Sequence, residues 1–176
     1  MKIAAELEKL LNEQMMAEIE SWYLYRALAA WFQDQNLEGF AHWMEVQAEE
    51  ELYHANRIRD YLYKRDNKVH YSAMAEPKIT WNSPLQAMEA VLEHEIEVSV
   101  SIDQKCKKAM EMGDLGVVAM LRWFVKEQEE EEETPRNIID QMKLYGDKGC
   151  MLYRFNKKLG KREEDDFLED DPINAE

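Results

Sequence analysis

Glycine and proline are scarce in this chain, six and four in 176 residues. With so few breakers, and Glu, Ala, Leu, Lys and Met abundant, the composition favours helix. Cysteine is scarcer still: Cys106 and Cys150 lie far apart and form no C-x-x-C pair. That argues against a disulfide framework and leaves thiolate zinc or iron–sulfur binding almost nothing to build on. Free thiols in a reducing cytoplasm are the expectation. Positive charge is outnumbered, 22 Lys and Arg against 37 Asp and Glu, for a net charge of -15. Such an excess speaks against a nucleic-acid backbone or an anionic membrane as partner and suits the attraction of cations. No apolar run approaches a membrane span, and the opening Met1-Lys2-Ile3-Ala4-Ala5-Glu6 lacks the apolar stretch of a secretory signal.

The length suits a single domain with a substantial core. Apolar spacing predicts a first helix over residues 2–35, with Leu11, Met15, Trp22, Tyr25, Ala29 and Phe32 along one stripe. The step missing between Met15 and Trp22 is filled by Glu18, a charge that is expensive in a core stripe unless a cation meets it. Asn36 to Gly39 is the break. A second helix over 39–66 carries Phe40, Met44, Gln47, Glu51, His54, Ile58 and Tyr61. Residues 67–83 hold no helical pattern, and Pro77 and Pro84 punctuate them. Such a stretch is too long for a tight turn but can run the length of a bundle about 40 Å long, which makes helices two and three parallel.

Ser83-Pro84 reads as an N-cap with proline at the first helical position. The third helix places Leu85, Met88, Leu92, Glu95, Ser99, Ile102, Cys106 and Ala109 in its seam, and His94 one residue off it. After a turn at 113–116, the fourth carries Val117, Leu121, Phe124, Gln128, Glu131, Ile138, Met142 and Tyr145. Pro135 falls inside this helix, where it is expected to kink or interrupt it. Gly146 ends it, a short amphipathic piece follows over 148–159, and an acidic tail, expected to be mobile, closes the chain. The expected division is a bundle domain at 1–160 and a tail at 161–176.

The polar seam positions repeat. Glu18 stands 33 residues before Glu51, with His54 three further on; Glu95 stands 33 before Gln128, with Glu131 three further on. Residues three apart on a helix face the same way, so a carboxylate and an imidazole at that spacing can share a metal ion. Four helices thus push ligand groups into one layer of an apolar core, where unpaired carboxylates would otherwise be protonated or destabilising. Oxygen-rich ligands with one His suit iron or manganese better than thiophilic metals, although zinc could enter. Glu51 could bridge two ions about 3.5–4 Å apart, and two ferrous ions so placed can reduce dioxygen by two electrons. Symmetric centres of this kind use Glu-x-x-His twice. Here the second copy is Gln128-x-x-Glu131, which points to one ion held more weakly than the other. Glu127 and Glu130 flank this seam and Glu50 adjoins Glu51, so they read either as a solvated face or as an outward extension of the site.

The chain resembles a non-haem prokaryotic-type ferritin over nearly all of residues 5–160. The resemblance rests on Leu11-Asn12-Glu13-Gln14-Met15-x-x-Glu18, Ala48-Glu49-Glu50-Glu51-Leu52-Tyr53-His54, His94-Glu95 and Trp123-Phe124-Val125-x-Glu127-Gln128-x-Glu130-Glu131. It implies an all-α, ferritin-like four-helix bundle with one long crossover between helices two and three and a short fifth C-terminal helix. By resemblance, Glu18, Glu51 and His54 hold iron at a first ferroxidase position, and Glu51, Glu95 and Glu131 at a second. Gln128 stands nearby for oxygen or a ligand water, and Glu50, Glu127 and Glu130 match a third, cavity-side iron position. Tyr25 matches a tyrosine beside the centre and Trp123 a nearby tryptophan; either could supply an electron or serve as a core aromatic.

The implied activity is oxidation of Fe(II) by dioxygen and storage of the product as mineral inside a 24-subunit shell in the cytoplasm. A rubrerythrin-like di-iron peroxidase would want a four-cysteine iron domain that Cys106 and Cys150 cannot supply. A bacterioferritin would favour His where Glu131 stands. The twelve-subunit DNA-protecting relatives lack the fifth helix. A shell that binds metal without turnover is the alternative from another class.

Overall fold

With few residues to break them, the helices of the computed structural model run long. It describes residues 2–146 and 149–163. In order they are α1 (Ala5–Asp34), α2 (Glu38–Lys64), α3 (Pro84–Glu111), α4 (Leu115–Tyr145) and α5 (Gly149–Leu159). Among the described residues there is no strand, and no helix is long and apolar enough to cross a membrane. Cys106 and Cys150 are both free.

Each boundary has a local cause. Asn36, between α1 and α2, takes a left-handed conformation (φ 59°), which asparagine tolerates better than most residues. Ser83 caps α3 by accepting from the Gln86 N–H at 3.1 Å, with Pro84 at the first turn. Asp114 caps α4 through the N–H groups of Gly116 and Val117, and Arg65 at the end of α2 pairs with it at 3.0 Å. Pro135 does not interrupt α4, which continues through it to Tyr145. Proline removes only its own N–H, here the partner of the Glu131 carbonyl one turn earlier, and its ring is buried in the bundle.

The crossover follows α1 from one end to the other. Asn67 exchanges hydrogen bonds with the Ile3 backbone at 2.8 and 3.1 Å, and His70 N–H donates to Asn12 at 2.6 Å. At the far end Trp81 meets Trp31 edge to face, with centroids 5.6 Å apart. Residues 12 and 31 are roughly 28 Å apart along a helix, so α3 starts at the end where α2 starts. The two helices therefore run parallel, as the length of the connection predicts.

The core is in two parts. One apolar cluster includes Phe32, Phe40, Met44, Met88 and Ile138; the other includes Leu11, Met15, Ile58, Ile102 and Leu121. Between them each long helix presents the polar residues of the seam. The stripes are followed with exceptions: Trp22, Tyr61, Leu85, Leu92 and Ser99 are half-buried, Leu28 is inside, and Tyr145 is exposed.

The fifth helix turns back onto the start of α2. The Asn156 side chain accepts from the N–H groups of Gly39 and Phe40, at 2.8 and 3.1 Å, and so caps a helix that has no side-chain cap of its own. Gly39 is required there, since a Cβ on it would lie 1.7 Å from the Asn156 carbonyl oxygen. Lys161 and Arg162, the first residues of the expected tail, continue this packing, and Arg162 is half-buried. The rest of the tail, from residue 164, lies outside the described residues.

Candidate metal centre

The spacing that singles out Glu18, Glu51, His54, Glu95 and Glu131 brings them together in space. Their ligand atoms form three overlapping groups, each within 4.8 Å: Glu18–Glu51–His54, Glu51–Glu95–Glu131 and Glu50–His54–Glu131. Glu51 is common to the first two groups. All six residues are buried, Glu18 and Glu95 with 1% of their surface exposed. Each helix delivers its share because the site lies midway along it, between the two apolar clusters.

Burial sets the electrostatics. It pushes the Glu51 carboxyl well above its usual range, and the charges of Glu95, Glu18 and Glu131 add to the effect. Glu131 is raised for the same reasons, by burial first and then by Glu50 and Glu95, against an opposing pull from Arg162 and Gln47. Burial lifts Glu95 to about 7 even though Tyr25 and Gln128 donate to its carboxylate. A site that cannot keep its carboxylates ionised alone takes up a divalent cation in exchange for protons.

The remaining predicted residues surround this set. Tyr25, fully buried, donates its hydroxyl to Glu95 Oε1. Gln128 donates to Glu95 Oε2 at 3.1 Å, to the Glu95 carbonyl and to Ser99, and so fastens Glu95 to α4. Trp123 packs edge-on against His54, centroids 5.4 Å apart, with the Arg57 guanidinium over its other side. His94 faces Ser21 at 2.7 Å and belongs to none of the ligand groups, as its off-seam position predicts. Glu127 and Glu130 also stand outside the three groups. With Glu50 they line an open cavity of about 400 Å³ on the outer side of the centre.

Three participants went unassigned in the sequence. Gln14 donates to Glu18 Oε1 at 2.9 Å, one turn away on α1. Gln47 donates to Glu131 Oε2 at 2.5 Å. Arg162 donates to Gln47 Oε1 at 2.6 Å and to Glu50 Oε2 at 2.5 Å. Gln14 sits one turn before Glu18 and Gln47 lies in the α2 seam, signals available in the spacing; Arg162 had none.

Fold and site together define a class: a four-helix bundle with a buried centre of carboxylates and one imidazole, whose ligand groups could hold an oxygen-loving divalent ion. The donor set fits iron, and neither cysteine takes part in it. The ferritin-like domain pattern matches residues 8–145, and the chain belongs to the ferritin family. It is 36% identical over 160 residues to a bacterial non-heme ferritin of Bacteroides fragilis, covering 91% of this chain and 99% of that one. A bacterial non-heme ferritin of Campylobacter jejuni is 32% identical over 86% of this chain and 90% of its own. The fold matches the crystal structure of an open-pore ferritin from Archaeoglobus fulgidus with a TM-score of 0.90. That protein is 38% identical, over 92% of this chain and 98% of its own.

Proposed function

We propose that this chain is a ferroxidase that oxidises Fe(II) with dioxygen and stores the ferric product as mineral inside a 24-subunit shell. One observation carries this reading: Glu51 belongs to two adjacent three-ligand groups, so one carboxylate can serve two substrate ions at once. Ferrous iron is the substrate. Glu18, Glu51 and His54 receive one ion; Glu51, Glu95 and Glu131 receive the other. Each ion gives up one electron, and dioxygen takes the pair with two protons as hydrogen peroxide.

The protein's part is to hold the ions and to handle protons. Entry of iron expels the protons that burial keeps on the Glu51, Glu95 and Glu131 carboxyls. Gln14 and Gln47 orient ligand oxygens from behind, as outer partners do in metal sites. Gln128 stands beside the second position for oxygen or a ligand water. Tyr25 and Trp123 flank the centre as aromatic neighbours, the first through its hydroxyl on Glu95 and the second edge-on to His54. Glu50, Glu127 and Glu130 form a third iron position on the way out. Assembly is supported by large apolar side chains on the outside of the subunit, among them Leu115 and Leu144, 78% and 72% exposed. The free thiols suit a reducing cytoplasm.

Rapid mixing of metal-free protein with Fe(II) under air tests the reading. A fast phase that saturates near about two ions per subunit, with matching oxygen consumption, is the expected result. Iron bound without oxygen consumption would instead identify a passive metal-binding shell.

A further inference from the structure

The outer carboxylate cavity already has a cation in it. Arg162 reaches back from beyond α5 and places its guanidinium on Glu50 Oε2 at 2.5 Å and on Gln47 Oε1 at 2.6 Å, above the Trp43 ring with 5.1 Å to its centroid. Its carbonyl meets His42 Nε2 at 2.8 Å, so backbone and side chain are both held. The approach is built into the fold: Asn156 locks α5 to the first turn of α2, and Gly160 sits where a Cβ would lie 3.2 Å from Gly39 Cα. Glu50 is the residue common to both regions, since it lines the outer cavity and shares a ligand group with His54 and Glu131. The guanidinium therefore sits on one oxygen of the carboxylate that belongs to both the inner groups and the outer cavity.

We propose that Arg162 is a tethered competitor cation for the outer carboxylate cluster, which an incoming ion displaces from Glu50. The inference rests on the third iron position of the proposed function and adds to it the residue that controls its occupancy. A guanidinium and a divalent ion on one carboxylate oxygen repel each other strongly in a half-buried site. The third ion is thus held loosely while Arg162 is docked, and it binds firmly only where Arg162 has swung away. Because Gln47 joins Arg162 to Glu131, release of the arginine is also felt at a ligand of the inner centre.

The test is an anaerobic calorimetric titration of the assembled, metal-free full chain with Fe(II), comparing wild type with Arg162→Gln and Arg162→Lys. The expected result is a third ion bound at least about tenfold more tightly in Arg162→Gln, with a smaller change for the first two. Arg162→Lys, which keeps the charge, should stay within about threefold of wild type at the third position. A third ion gained only in Arg162→Gln supports the proposal equally. Third-ion binding unchanged or weaker in Arg162→Gln, absent in both, or tightened alike in Arg162→Lys overturns it. The titration reads binding without dioxygen, so a failure of ferroxidase turnover leaves its result legible, and a negative result leaves turnover at the inner pair standing.

Discussion

Tyr25 on α1 donates its hydroxyl hydrogen to Glu95 Oε1 on α3, across the centre of the bundle. Burial, and then the charges of Glu95, Glu51 and Glu131, hold the phenol well above its ordinary pKa, so it stays a donor at neutral pH. Tyr25→Phe removes one of the two side chains that donate to this carboxylate. Metal-free Tyr25→Phe should lose roughly 1.5–3 kcal/mol at pH 8, where the bond is to a charged group, and less at pH 5. Urea unfolding at the two pH values measures the difference.

Glu95 itself makes the metal-free protein lose stability as the pH rises from 4.5 through about 7. Its carboxyl titrates near about 7 in the fold, against 4.5 for an ordinary one. Between those values the folded state binds more protons than the unfolded state, so stability falls as pH rises through the window. The loss from this group is on the order of 3 kcal/mol. Metal-stripped Glu95→Gln should therefore melt above wild type at pH 8, with the gap closing toward pH 4.5. Parallel melting curves for the two proteins would contradict the assignment.

Glu51→Gln keeps the volume of the side chain and removes the charge that the two ligand groups share. The initial rate of Fe(II)-dependent oxygen consumption should fall at least about hundredfold, more than is usual for an outer partner. An unchanged initial rate would place the chemistry elsewhere.

Gln14→Leu leaves Glu18 in place but without its donor one turn away. Affinity for the first ion should drop about 10–100-fold with the helix content unchanged, as read by anaerobic titration beside circular dichroism.

The docking of α5 depends on two small details. Asn156→Ala removes the cap on the first turn of α2 and should cost about 0.5–2 kcal/mol. Gly39→Ala drives a Cβ into the Asn156 carbonyl and should displace α5 altogether. Faster proteolysis after residue 146, with the four long helices still folded, is the measurable sign.

Much of this was legible in the sequence for a simple reason. A carboxylate that breaks an apolar stripe, as Glu18 breaks that of α1 and Glu95 that of α3, is costly unless polar partners or a cation meet it inside, and period alone locates it. The crossover was legible from its length, and the start of α3 from Ser83-Pro84. Pro135 was read as a kink or a break; the break does not occur, since the proline removes one backbone hydrogen bond while its ring and Ile138 are buried in the bundle. Arg162 was beyond reach. It falls in a stretch whose composition reads as tail, and only the angle at which α5 folds back brings it to Glu50. That angle is set by Gly39 meeting Asn156, 117 positions apart, which no local pattern encodes.

The two apolar clusters, each at its own end of the bundle, separate cohesion from chemistry. Leu11, Ile58 and Leu121 at one end and Phe32, Met44 and Ile138 at the other hold the helices in register on either side of the layer between. That middle layer is free to drift. Gln128, Glu131 or Arg162 can be exchanged there, and what the layer holds retuned, while the packing at either end stays as it is.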